Sequence, residues 1–422
     1  MERITVAPGV RIAAFPAEKF NRCRISIHFI WPARRQAATA EALLPLVLER
    51  GDSDCPDMTE LSTRLAKLYG AELSADSIVS GACRALTVSI SGVKDKFALS
   101  GESLSAEYAS IALGTAFRPY LMDGKFDAEA VAIEKEQLRE QLEGEINEKR
   151  GYCIRQARRK FFGDAPAGIE RYGYLEELPA LTSAMVTDAF LNMVRTAQIE
   201  VMCFGADTGA VQKELCAALC AYDRIPAQLP MCEAVPQGPV QRYTEALSTA
   251  QGKFCLLFTP GQTPAKNELA ALRAASALLG GLPTSRLFQN VREKKSLCYY
   301  CAASYTSFNA VLCIDSGVEH ANAEAAKEAV LAELTALCNG PITDAELADT
   351  KRALDNQLSA MGDSLQSLEG WYFGELLRGT EQKPEEAARD VQAVTAADIR
   401  RVLSRFTLRV DYTLTKEGGT DD

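Results

Sequence analysis

A short stretch of the first half returns in the second half, in the same order and at a fixed distance. From Glu134 the chain reads EKEQLREQL, and 216 residues later it reads TKRALDNQL, so that Lys135, Leu138, Gln141 and Leu142 stand over Lys351, Leu354, Gln357 and Leu358. A second pair follows: LPALTSAMVTDAF from Leu178 and VQAVTAADIRRVL from Val391. Four identities in nine carry little weight alone, but matching order and spacing point to an internal duplication. Duplication constrains the chain to two similar units.

Length agrees with this. A chain of 422 residues exceeds the size at which one hydrophobic core keeps growing. The boundary is expected between Ala221 and Val240, where Pro226, Pro230, Pro236, Pro239 and Gly238 remove backbone donors and favour extended linker. The expected division is therefore residues 1–222, a linker over 223–240, and residues 241–422.

Each half mixes strand and helix patterns. Leu86, Val88 and Ile90 alternate with Thr87, Ser89 and Ser91, as in a half-buried strand, and KFCLLFT from Lys253 is a short apolar strand ended by Pro260 and Gly261. Val131, Leu138, Leu142 and Ile146 fall at helical spacing, as do Val330, Leu331, Leu334 and Leu337. Thr395 precedes Asp398 by three residues, which suits a helix N-cap with an acidic first turn. The expected class is α+β, with an antiparallel-type sheet in each domain and helices packed on one face.

Composition excludes several functions. The net charge is −10 and no basic run exceeds Arg158-Arg159-Lys160, so the phosphate-neutralising surface that nucleic acid requires is missing. No stretch approaches the roughly 20 apolar residues of a membrane span, and MERITVAPGVRIAAFP has no apolar core after a basic start. The chain reads as cytoplasmic, with partners that are neither DNA, RNA nor membrane. Thirteen cysteines in an odd, unpatterned set read as reduced thiols. Cys298 and Cys301 form a CxxC in an aromatic, strand-like run without a second CxxC, which disfavours a four-ligand metal site or a redox role.

The run TSRLFQNVREKKSLCYY, from Thr284 to Tyr300, closely resembles the second-domain signature of pitrilysin-type (M16-like) peptidases. RYGYLEELPALT, from Arg171, resembles a stretch near the end of their first domain, and ALLPLVLERG, from Ala42, stands where active members carry HxxEH. With the duplicated order, the resemblance spans essentially the whole chain and implies two homologous M16-like domains. Active relatives bind zinc through two histidines at i and i+4 on a helix, with an adjacent glutamate as base. Aligned on Gly51, the histidine positions are Ala42 and Leu46 and the base is Pro45. The third ligand position, in EKEQLREQ, is Gln141, and a one-residue shift to Glu140 changes nothing without histidines.

A census needs no alignment. The two histidines, His28 and His320, make no i, i+4 pair; His28 lies in an alternating strand and both read as structural. No catalytic metal and no cofactor are expected. The resemblance further implies a surviving half-site, because active relatives supply an arginine and a tyrosine seven residues apart from the second domain. Arg292 and Tyr299 match that pair, and would stabilise the oxyanion of a peptide carbonyl under attack. Arg286 reads as structural, near a helix start.

Lost zinc ligands beside a retained pair resemble the division of labour in heterodimeric members. The sequence is also similar to the zinc-less subunit of a paired bacterial set associated with elongation factor P modification. The implied role is a non-catalytic subunit that closes with a zinc-bearing paralogue around unfolded peptide. The competing reading is a peptide- or protein-binding scaffold, paired with itself.

Overall fold

The computed structural model describes residues 2–231 and 233–416. They form two compact units. The first holds residues 1–143 and 169–231, and the second holds residues 144–168 and 232–422.

The first unit has a six-stranded sheet: β1 (Glu2–Ala7), β2 (Val10–Phe15), β3 (Arg22–Pro32), β4 (Glu72–Ser80), β5 (Cys83–Val93) and β6 (Gln198–Phe204), in the order β1-β2-β6-β3-β5-β4. All pairings are antiparallel except β2 with β6. Strand alternation sends Ile25, Ile27, Phe29 and Trp31 of β3, with Leu86, Val88 and Ile90 of β5, into one core. That face meets α1 (Ala38–Leu48), α3 (Leu104–Phe117) and α6 (Ser183–Thr196). Helices α2 (Met58–Lys67) and α7 (Thr208–Leu219) add to it through Leu61, Val211 and Leu215, and α4 (Ala128–Gly144) through Val131 and Leu138. Asp57, Thr182 and Asp207 cap α2, α6 and α7 by accepting backbone N–H bonds that the first turns leave unmade.

The second unit carries β7 (Gln241–Ala246), β8 (Gly252–Thr259), β9 (Tyr300–Thr306), β10 (Val311–Val318) and β11 (Thr407–Thr415), in the order β7-β11-β8-β10-β9. This repeats the first sheet with β1 removed, including a single parallel pair, here β11 with β7. One face packs on α8 (Leu269–Ser276), α9 (Ala323–Asn339), α10 (Asp344–Ala360), α12 (Pro384–Ala393) and α13 (Ala396–Leu403). Thr395 caps α13 and Asp398 returns the bond, as the spacing predicts. Helix α10 keeps the 216-residue offset from α4 at both ends, and α11 (Leu365–Arg378) keeps it from α5 (Lys149–Phe162).

The α+β class, with one sheet and its helices in each half, is borne out. Two details go beyond it. Each sheet is mixed by one parallel pair, and the second sheet is covered on both faces. Helix α5, which precedes the proline-rich stretch by some seventy residues, belongs to the second unit. Its stripe of Cys153, Ala157 and Phe161, at i, i+4 and i+8, lies against Leu257 of β8, Val311 of β10, and Val410 and Leu414 of β11. Arg150 fastens the helix start to the sheet by a two-pronged bond to Asp315, at 2.6 and 3.1 Å, and stacks over the Tyr300 ring at 4.5 Å. Among the described residues no helix is long and apolar enough to cross a membrane.

Candidate functional site

The four positions that the family register reserves for zinc chemistry lie on α1 and α4 of the first unit. Ala42 is 5% exposed and Pro45 is buried, both among the mostly apolar buried residues of α1. Leu46 packs partly buried against the same core, while Gln141 is exposed on α4. None of these side chains can ligate zinc at neutral pH or take a proton from water. Pro45 removes an intrahelical donor, a cost of about 3 kcal/mol in a helix interior that only a shaped apolar surround offsets. Among the described residues no three His, Cys, Asp or Glu side chains are grouped as a metal ion requires. His28 lies in β3, buried, with Nδ1 2.8 Å from the Thr87 hydroxyl, and His320 opens a short helical turn with Nε2 3.3 Å from the Thr249 carbonyl.

One charged group sits beside the vacated motif. Glu41, directly before Ala42, is 1% exposed, accepts the Trp31 indole N–H at 2.8 Å, and faces Arg84 Nε of β5 at 3.1 Å. Arg84 is fully buried and donates to the Arg171 and Glu170 carbonyls at 3.0 and 3.1 Å. Burial pushes the Glu41 carboxyl up and the Arg84 guanidinium down, each opposed by the charge of the other. The pair thus pins the start of α1 to RYGYLEELPALT. That segment closes over Thr39, whose hydroxyl donates to Glu177 and accepts from the Tyr174 N–H at 3.0 Å. Gly173 adopts φ +72°, and a Cβ there would stand 2.5 Å from Thr39 Cα, so only glycine fits. Sequence reasoning missed Glu41 and Arg84. The available signal was a lone charge directly before each of two largely apolar runs, Glu41 before ALLPLVL and Arg84 before ALTVSI.

Arg292 and Tyr299 lie in the second unit, and the fold brings them together. The chain from Leu287 to Lys294 is a π-helix, and the Lys295 N–H closes it on the Asn290 carbonyl at 3.2 Å, five residues back. Such wide turns are rare and gather at functional sites. Val291 and Leu287 face the core, which turns Arg292 outward over the Phe288 ring at 4.5 Å. Arg292 Nε donates to the Tyr299 carbonyl at 2.9 Å, and Nη1 lies 3.2 Å from Glu293. The Tyr299 N–H donates to Gly317 of β10 at 2.8 Å, which fixes the backbone while the ring stays 46% exposed. Tyr299 is thus held by its backbone at an exposed position, with the Arg292 guanidinium bonded to its carbonyl. Arg286 is a strut: Nε reaches Glu346 at 2.8 Å and Nη2 the Pro341 carbonyl at 2.7 Å, bracing the capped start of α10.

Residues 216–354, which hold this segment and every strand of the second sheet except β11, match the family described as Peptidase M16 inactive domain. The chain is similar to M16-like proteins described as inactive. It is 24% identical over 407 residues, 96% of either chain, to the Probable inactive metalloprotease YmfF of Bacillus subtilis (strain 168). The Uncharacterized zinc protease YmxG of the same organism is 28% identical over 182 residues, 42% of this chain and 44% of that one. A conserved protein from Enterococcus faecalis V583, known by its crystal structure, superposes with a TM-score of 0.89 at 25% identity, covering 100% of this chain and 99% of that one.

Proposed function

We propose that the protein is the non-catalytic subunit of a zinc-bearing M16-like heterodimer. In this reading Arg292 and Tyr299 face the scissile peptide carbonyl, and the partner supplies zinc and base. The observation that carries it is the asymmetry: Ala42, Pro45, Leu46 and Gln141 have no ligand chemistry, whereas Arg292 and Tyr299 present donors on a fixed backbone. Donors held in place before reaction stabilise a developing oxyanion without reorganising. Arginine suits the task because it stays cationic and offers a planar fork. Strand β4 is an edge of the first sheet, with Glu72, Ser74 and Asp76 exposed, and supports binding of unfolded peptide as an added strand. The paired set that the sequence resembles acts in connection with elongation factor P modification, so a neighbouring gene of that system is the first partner to try.

The test mixes the chain with a zinc-bearing M16-like paralogue and follows peptide cleavage, with the zinc content of each subunit measured separately. Arg292→Ala and Tyr299→Phe are each expected to lower the rate by about 10²-fold or more. Unchanged rates for both would remove the role.

One observation favours a second reading, a peptide- or protein-binding scaffold that pairs with itself. Arg292 spends its Nε on the Tyr299 carbonyl, a structural bond. Under that reading Arg292→Ala lowers stability and leaves any partner-dependent rate alone.

A further inference from the structure

The CYYC motif is absorbed by neither reading, and its geometry differs from what strand alternation predicts. On an uninterrupted strand, residues three apart point to opposite faces. Here the chain bends at Tyr299 before β9 begins, and Cys298 and Cys301 pack against the same core. The two thiols lie close enough to act on one another's acidity. Cys301 is 5% exposed and pairs across the sheet with Ser316, whose side chain lies beside both sulfurs. Cys298 is half-buried at the surface end, with the Arg292 guanidinium held next to it by the 2.9 Å bond to Tyr299.

We infer that Cys298 is a site of oxidative modification by hydroperoxides, with Cys301 as the resolving thiol that carries the product on to a disulfide. Three features assign the roles. Cys298 is the accessible member and Cys301 the enclosed one. A guanidinium stabilises a thiolate and the sulfenate that follows from it. Both thiols belong to one chain and pack against one core, which removes the need for a second chain.

The acid–base order agrees. The neighbouring Cys301 thiol, then Ser316 and the positive charge of Arg292, hold the Cys298 thiol below the ordinary thiol range against the opposing effect of burial. Cys298 in turn, with burial, pushes Cys301 far up. Burial alone moves other thiols the opposite way from Cys298, Cys23 to about 11 and Cys203 to about 12.

The chemistry balances in two steps. The Cys298 thiolate attacks the outer peroxide oxygen, the O–O bond breaks, and the alkoxide or hydroxide leaves with a proton as alcohol or water. The Cys301 sulfur then attacks Cys298 sulfenic acid, the S–O bond breaks, and water departs. The dithiol loses two electrons and two protons, and the peroxide gains both. A reduced dithiol reverses the change by exchange.

The experiment treats the purified full chain with limiting hydrogen peroxide, blocks remaining thiols by alkylation, and maps peptides by mass spectrometry. Exposed Cys216 and Cys220 are the internal reference. The expected result is a Cys298–Cys301 linked peptide that forms about tenfold faster than either reference thiol is oxidised, in line with a larger thiolate fraction. Dithiothreitol should restore both thiols. Cys301→Ser should instead accumulate a Cys298 sulfenic acid that a dimedone probe traps. Oxidation of Cys298 no faster than Cys216 and Cys220 overturns the proposal, as does Cys301→Ser without trapped sulfenic acid. Since the readout uses neither partner nor peptidase, its failure leaves the heterodimer reading untouched.

Discussion

Helix α1 of the first unit and the Leu287–Tyr300 segment of the second offer opposite things to a substrate. Along α1, Ala42 packs in the core, Leu46 packs against it and Pro45 is buried. Along Leu287–Tyr300 the backbone is a wide helix followed by a bend, and arginine, cysteine and tyrosine stand at its surface. The first arrangement gains apolar burial worth about 25 cal/mol per Å² and gives up reactivity. The second keeps irregular backbone and half-exposed polar groups, a combination that packing alone does not favour.

The largest stability effect tests whether α1 still depends on its buried charge pair. Arg84→Met leaves Glu41 buried without its partner, and is expected to cost about 3–5 kcal/mol in a urea unfolding titration. A loss below about 1 kcal/mol would mean that the helix start is held by packing instead. The second unit has a corresponding fastening in Arg150 and Asp315. Asp315→Asn is expected to cost about 1.5 kcal/mol, and to raise amide exchange along residues 149–162 before the strands respond. Uniform exchange would show that α5 is held by its apolar stripe alone.

The smallest effect concerns pH. Arg286 and the Thr343 cap hold the Glu346 carboxyl down at about 2 from an ordinary 4.5. A depressed folded value stabilises the protein above the unfolded value, and that stability is lost as pH falls through the window between about 4.5 and about 2. Glu346→Gln should therefore flatten this acid limb in thermal melts collected across the window. An unaltered limb would assign acid sensitivity elsewhere.

Much of this contrast was legible in the sequence, because it depends on residue identity. Chains without a pair of histidines at i and i+4 cannot build a zinc centre of that kind, and the resemblance implies Ala42 and Leu46 at those places. The repeat from Glu134 to Thr350 foretold α4 and α10, and the alternation around Val88 foretold β5. What stayed hidden depends on contacts between distant residues or on unusual backbone. Glu41 and Arg84 are 43 residues apart, and nothing local in either run names the other. The π-helix closes bonds five residues back, which a search for the 3.6 period does not detect. Arg292 and Tyr299 keep the family spacing, but the bond between them ends on a backbone carbonyl, to which sequence is blind. Cys298 and Cys301 meet only because of a bend that a strand-like run conceals.

Helix α5 has a consequence for how this polypeptide can be divided. Its side chains roof the outer surface of a sheet whose strands are all made later, after the proline-rich stretch. A fragment beginning at residue 241 would leave Leu257, Val410 and Leu414 wet and adjoining, an adhesive patch of the kind that drives self-association. Nature cannot therefore cut this gene at its most obvious seam and obtain two soluble products: the earlier portion holds the lid that the later portion needs.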